Sequence, residues 1–223
     1  PFIDMFRTKR FWIVTMQFCV AVALASVALT IPMPNFFQYA LAVFWLMAFS
    51  SATHDIAADG FYMLALEQHR QAAFVGVRSM FYRIAMITGQ GLLVVLAGQI
   101  EQSSGGNISL AWSVTLAVLA GVFALAFVYH KFVLPFPDAD RPVHTTGTGS
   151  VARDFFSTFF LFFKKKNLFP TLAFLLFYRF AEAQLVKLVS PFLLDARGKG
   201  GLGLTTSEVG VAYGTVGIIA LTL

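Results

Sequence analysis

Charge is the scarcest property of this 223-residue chain: only 12% of its residues are Asp, Glu, Lys or Arg, about half the share of a soluble domain. A soluble fold of this size needs those charges to wet its surface, whereas an outer surface that meets hydrocarbon does not. Cysteine is scarcer still. Cys19 stands alone, which excludes an internal disulfide and leaves the redox compartment unreadable. The four histidines have no Cys or His partner at the spacing of a zinc site, so neither metal nor cofactor is expected. What the chain has in quantity is apolar surface: 58% hydrophobic residues, 26 of them Phe, and a mean hydropathy of +0.75. The phenylalanines run over almost the whole length, as lipid-facing helices require and one greasy core does not. Lys9 and Arg10 before the run from Phe11 to Ile31 imitate a signal peptide, but the run is too long for one and five similar runs follow. The chain opens without Met and stops inside an apolar run at Leu223, so both ends are expected to be cuts in a longer protein.

A helix rising about 1.5 Å per residue needs about 20 apolar residues to cross a core of about 30 Å. Six segments meet or approach that length: 11–31, 36–58, 73–98, 109–134, 168–193 and 206–223. They are too long for barrel strands, and lipid tolerates only structures that close their own hydrogen bonds. The expected fold is therefore all-α and polytopic. The basic residues set its orientation. With the N-terminus inside, Arg7, Lys9, Arg10, Arg70, Arg78, Lys131, Arg141, Arg153 and Lys164 to Lys166 fall on the cytoplasmic side, Arg197 and Lys199 outside, and Arg83, Arg179 and Lys187 within spans. Eleven inside against two outside is a strong positive-inside bias. It accounts for the net charge of +5 without nucleic acid. The longest loop, 135–165, lies on the basic side. Pro135 to Ser150 reads as a flexible linker, and Val151 to Phe163, ending in three lysines, as an interfacial amphipathic helix. The chain thus divides into 1–134, part of one helical bundle; 135–165, a cytoplasmic linker; and 166–223, the start of a second bundle. Two spans missing upstream would give the six-plus-six plan of a two-bundle transporter.

An ionisable group at membrane depth costs at least about 2.5 kcal/mol at the centre, so it should face a cavity or a partner. One cluster runs from Ser50 to Asp59 and holds His54, Asp55 and Asp59, the two aspartates sharing a helix face at i, i+4. Counted along the helices, Asp59 lies about 10 Å, Asp55 about 17 Å and Arg83 of the next span about 14 Å from the inner surface. Arg83 is therefore expected to pair with Asp55 or Asp59, either to pin two helices or to serve transport. The second cluster is Tyr178-Arg179-Phe180-Ala181-Glu182-Ala183-Gln184, with Lys187 beyond. Arg179 and Glu182 can pair at i, i+3. Near the midplane, where such transporters bind solute, Arg179 suits an anion. Glu182 is equally a proton acceptor or a silent partner, because burial raises a carboxyl pKa and a neighbouring Arg lowers it. His54 with Asp55 and Asp59 makes a poor metal site, since all three ride one helix. Gly89, Gly91, Gly98, Gly210, Gly214 and Gly217 mark faces where helices approach closely.

The segment Ser51-Ala52-Thr53-His54-Asp55-Ile56-Ala57-Ala58-Asp59 resembles the fourth helix of AmpG-like muropeptide permeases of the major facilitator superfamily, where a Ser/Ala-rich stretch leads to Asp-Ile-Ala-x-Asp. Arg78 to Gly89, including Tyr82-Arg83, is similar to the fifth helix. Tyr178-Arg179 through Glu182-Ala183, then Pro191 to Leu194 and Thr205 to Gly217, are similar to the seventh and eighth. Pro1 to Arg10, with Asp4, Arg7, Lys9 and Arg10, resembles the basic loop before the third. The resemblance covers nearly the whole chain and implies helices three to eight of a twelve-helix fold. It further implies proton-driven import of anhydro-muropeptides during cell-wall recycling. His54 stands where that family commonly has Gln, which bears on the substrate.

The expected function is proton-coupled import of an anionic solute across the bacterial inner membrane, by a protein that is monomeric when full length. Its partners are the bilayer, the solute and protons. Its candidate residues are His54, Asp55, Asp59, Arg83, Arg179, Glu182, Gln184 and Lys187. The rival within the class is a major facilitator transporter of another anionic solute, a sugar conjugate or an acyl-CoA. An intramembrane metal-dependent phosphotransferase needs an Ala-Arg pair at fixed spacing after Asp-Gly. Here Asp59-Gly60 is followed by Phe61-Tyr62-Met63-Leu64, so no enzyme is expected. A scaffold would not need charges at the midplane of two helices.

Overall fold

The structure, a computed structural model, describes residues 3, 6–141 and 148–220. Asp4, residues 142–147 of the linker and residues 221–223 of the last span lie outside the described residues. Among the described residues all regular structure is helical. The long elements are α1 (Lys9–Thr30), α2 (Phe36–Ala65), α3 (Gln68–Ser103), α4 (Ile108–Val133), α5 (Thr148–Phe163), α6 (Leu168–Leu194) and α7 (206–220). The described residues within Arg7–Pro142 and Thr206–Leu223 form one compact unit, and those within Pro1–Phe6 and Val143–Thr205 another.

By length and composition α1 to α4 are able to cross a membrane. α6 is long enough at 27 residues, but Arg179, Glu182, Gln184 and Lys187 dilute its apolar character. α7 is described for less than a full span. α3 is longer than its apolar stretch predicts. At 36 residues it runs about 54 Å, because a helix continues past the hydrocarbon boundary where hydropathy no longer marks it. Large apolar side chains stand exposed along these helices, among them Leu29, Leu125, Phe132 and Phe177. That surface suits hydrocarbon as its solvent.

In the larger unit α1 packs on α2 and α4. Val20 and Leu24 of α1 bury against Ala120 of α4, with Met47, Leu116, Leu119 and Phe123 around them. Ser113 Oγ donates to the Ala28 carbonyl across the same seam. The N-terminus of α1 is held twice. Thr8 Oγ1 accepts from Phe11 N–H, and the buried Asp140 carboxylate accepts from Lys9 N–H at 2.7 Å and Arg10 N–H at 3.0 Å. These are the first N–H groups of the helix, which lack partners within it and favour negative charge. Arg10 answers from the other side. It donates to the Leu134 and Lys131 carbonyls and lies 3.7 Å from the centre of the Phe136 ring. The start of the segment expected as a flexible linker is therefore fastened to α1 as far as Asp140, whose carboxylate caps the helix end.

α3 and α7 meet differently. Each carries a π-helical stretch, Ile87–Leu92 and Gly210–Gly217, and the two stretches lie against each other. A Cβ at Gly214 would overlap the Gln90 carbonyl, one at Gly98 would overlap Ser207, and one at Gly91 would overlap Thr215. Four of the six glycines expected at close approaches are at this seam: Gly91, Gly98, Gly210 and Gly214. Gly89 meets nothing, and Gly217 meets only a carbonyl of its own helix. Thr206 Oγ1 donates to Glu101 Oε2 at 2.8 Å at one end of the seam.

In the smaller unit α5 is followed by Lys164 and Lys165, whose ammonium groups lie over the Phe160 and Phe162 rings. The chain then turns through Asn167, in the left-handed region at φ 62°, into α6. After α6 it folds back, with Leu202 N–H donating to the Phe192 carbonyl and Leu204 N–H to that of Leu193.

Candidate functional site

The turn between α2 and α3 is built by polar side chains that the sequence places close together. Gln71 Nε2 donates to the Met63 and Leu66 carbonyls, and Tyr62 Oη donates to the Gln71 carbonyl. This corner sets the register of the two helices. Asp59 then meets Arg78: Nη2 donates to Oδ1 at 2.6 Å, and the guanidinium lies 5.0 Å from the Tyr62 ring centre. The pair joins α2 to α3 as the sequence requires, but with Arg78 in the place expected for Arg83. Arg83 makes no ion pair among the described residues. Instead Arg83, Tyr82, Ser79 and Arg78 border one open cavity of about 520 Å³. Arg78 is fully within α3, so it belongs to this helix pair rather than to a loop.

One and a half turns along α2, His54 occupies a second cavity, of about 550 Å³, shared with Gln17, Ser51, Asp55, Met47 and Phe123. The His54 Nδ1 lies 3.6 Å from Asp55 Oδ1, and its Nε2 is buried without a hydrogen-bond partner. Asp55 is largely exposed. Gln17, only 7% exposed, brings its amide to His130 Nδ1, with Nε2 at 2.9 Å and Oε1 at 3.0 Å. Sequence reasoning missed both Gln17 and His130. Gln17 carried a signal, as a polar residue inside an apolar run, whereas His130 sits beside Tyr129 and Lys131 at the end of its helix and reads as part of a boundary. Among the described residues no three His, Cys, Asp or Glu side chains gather as a metal would need.

On α6 the structure pairs Arg179 with Glu182, Nε to Oε2 at 3.3 Å, both side chains more than half exposed. Gln184 and Lys187 are exposed on the same helix. Three clusters thus stand out. His54, Asp55 and Gln17 line one cavity, with Gln17 bonded to His130; Asp59 is joined to Arg78 beside Arg83; and Arg179 is joined to Glu182.

Comparison with known proteins agrees with this architecture. Residues 3–183 match the BT1 family. An Escherichia coli K12 protein named anhydromuropeptide permease is 26% identical over 219 residues, covering 96% of this chain and 40% of the relative. A Rickettsia conorii protein named "Putative transporter AmpG 4" is 24% identical over 221 residues, covering 99% of this chain and 50% of the relative. An uncharacterized protein of Haemophilus influenzae is 25% identical over 194 residues, covering 84% of this chain and 41% of the relative. The chain therefore spans half or less of the length of these relatives. No solved structure gave a significant match. With an all-helical fold whose long apolar helices suit a membrane, the chain belongs to the BT1 family.

Proposed function

We propose that the full-length protein is a proton-coupled secondary transporter of the bacterial inner membrane that imports an anionic solute of the anhydro-muropeptide class. The observation that carries the anion is the cavity beside α3. Arg78 is neutralised there by Asp59 while Arg83 has no ionic partner among the described residues. One guanidinium of the two is left to accept a carboxylate in the fork geometry that arginine favours. Tyr82 and Ser79 supply hydroxyls beside it, suited to sugar and peptide groups. Within the smaller unit Arg179 is already paired with Glu182, which leaves Arg83 as the cation that carries the reading. The permease name of the Escherichia coli relative supports the muropeptide class.

Uptake of radiolabelled anhydro-muropeptide into proteoliposomes holding the full-length protein tests this reading. Arg83→Ala should raise KM at least about tenfold, the loss of one charge-assisted hydrogen bond. Unchanged uptake in both Arg83→Ala and Arg78→Ala would overturn the anion site. The same guanidinium suits phosphate, so strong competition by an acyl-CoA or a sugar conjugate, with no muropeptide uptake, would assign another anionic solute.

A further inference from the structure

The two faces of α5 ask for different surroundings. At about 100° per residue, Phe156, Phe159, Phe162 and Phe163 fall within an arc of about 120° that leaves out Arg153 and Ser157. All four phenylalanines are exposed. Three of them line an open groove of about 560 Å³, which Arg153 borders. A helix of 16 residues is marginal in water unless its apolar face is covered. The basic end says what the cover is. Between 148 and 167 stand four cations, Arg153 and Lys164 to Lys166, against one acidic residue, Asp154. None of the four cations makes an ion pair among the described residues. The Lys164 ammonium lies 4.6 Å from the Phe160 ring centre and the Lys165 ammonium 5.8 Å from that of Phe162. The lysines thus lay their stems along apolar surface and carry their charge to its edge, as they do at a bilayer surface.

The connection to α6 leaves no slack. Leu168 N–H donates to the Lys165 carbonyl, Asn167 reverses the chain, and α6 begins at the next residue. Phe169, Phe174, Leu176 and Phe177 stand exposed on α6, a surface for hydrocarbon. The lysines are therefore held at the level where α6 enters it. We propose that α5 docks on the cytoplasmic leaflet of the membrane by binding anionic phospholipid, with Lys164, Lys165 and Lys166 on the headgroup phosphates and the phenylalanine face among the acyl chains. A leaflet offers both surfaces side by side, anionic oxygens above and hydrocarbon below, in the order in which the helix presents its own. A protein partner would have to supply an apolar groove and a matching acidic rim at the same boundary.

The inference holds whatever the transported solute is, and its test uses none. Amide hydrogen exchange of the full-length protein in nanodiscs reads the docking, because an undocked helix of this length opens easily. Each basic residue near an anionic surface is worth about fivefold, so three lysines give up to about a hundredfold. Exchange across 151–163 should be at least about tenfold slower in discs of phosphatidylglycerol and phosphatidylcholine than in phosphatidylcholine alone, and high salt should narrow the gap. Replacing Lys164, Lys165 and Lys166 together by Gln should remove the gap, while Arg at all three should keep it. Phe162→Ala with Phe163→Ala should speed exchange in the anionic discs, even though Ala favours a helix. Unchanged exchange in α4 shows that these variants are folded. Equal exchange in the two kinds of disc would overturn the proposal. So would slowing by inorganic phosphate added to phosphatidylcholine discs, which would assign the lysines to a soluble anion. Protection as strong in detergent without phospholipid would also overturn it, since another segment of the protein would then be the cover.

Discussion

The two seams of the larger unit are made of different material. Between α1, α2 and α4 the contact is side chain to side chain, through Val20, Leu24, Met47, Ala120 and Phe123. Between α3 and α7 it is backbone to backbone, with glycine on both sides and both helices widened into π turns at the crossing. The first kind leaves slack. Long side chains of unequal shape leave a cavity, and there the protein keeps Gln17, His54 and Asp55. The second kind has none, because each helix sets the other's position through atoms that cannot change rotamer. π turns often mark functional points of a helix, and here they let Gly214 come against the Gln90 carbonyl. The cavity holding His54 and Asp55 thus lies where packing is adjustable, and helix spacing is fixed where it is not.

The sharpest way to break this contrast is to add bulk to the glycine seam. Gly214→Leu forces a side chain into the space of the Gln90 carbonyl and the Gly91 nitrogen, and backbone cannot step aside as a side chain tip can. A loss of at least about 3 kcal/mol, or failure to fold, is expected, measured as the SDS-unfolding midpoint of the full-length protein. An unchanged midpoint would show that the seam is not formed.

Removing bulk from the other seam should cost less. Leu24 is 5% exposed, and in water Leu→Ala in such a place costs about 2–5 kcal/mol. In a membrane the unfolded reference also meets hydrocarbon, so the transfer part drops out and the cavity part remains. Leu24→Ala should therefore cost about 1–2 kcal/mol in the same assay. A loss as large as that of Gly214→Leu would mean the two seams are equally rigid.

How far these seams were readable from sequence follows from what each signal encodes. Hydrophobic runs give the helices because length and apolarity are one-dimensional. The same arithmetic gave depth for the ions but not azimuth. Asp59 took Arg78 rather than Arg83 because the two arginines, five residues apart, point about 140° apart around α3. Depth alone could not choose between them. Glycine spacing revealed that a close approach existed, and at about 100° per residue Gly91 and Gly98 share a face from which Gly89 points away, as its open surroundings show. Gln17 and His130 were out of reach for another reason. They lie 113 residues apart, and a polar residue in one span does not name its partner in another.

The glycine seam also ends in a polar contact, which sharpens the comparison from its weaker side. Thr206→Val removes the hydroxyl that Glu101 accepts while keeping the branched shape. Hydrogen bonds between membrane helices are worth about 0.6 kcal/mol on average, so a loss of about 0.5–1 kcal/mol is expected. A loss above that of Leu24→Ala would make the seam's strength polar rather than steric.

The smallest effect is the most discriminating, because it uses a glycine in the same helix stretch that lacks the contact. Gly89 lies within the π turn of α3, yet a Cβ there meets nothing within 4 Å. Steric closeness, not the π turn itself, is the reason given above for glycine at Gly91 and Gly214. On that reason Gly89→Ala should be harmless, and it should gain up to about 1 kcal/mol from helix propensity. A clear loss at Gly89 would separate two causes that Gly214→Leu cannot. Either the widened turn demands glycine at every position, or another segment of the full-length protein covers this face as tightly as α7 covers Gly91. Cross-linking from a cysteine placed at Gly89 decides between those two, since only the second brings a partner within reach.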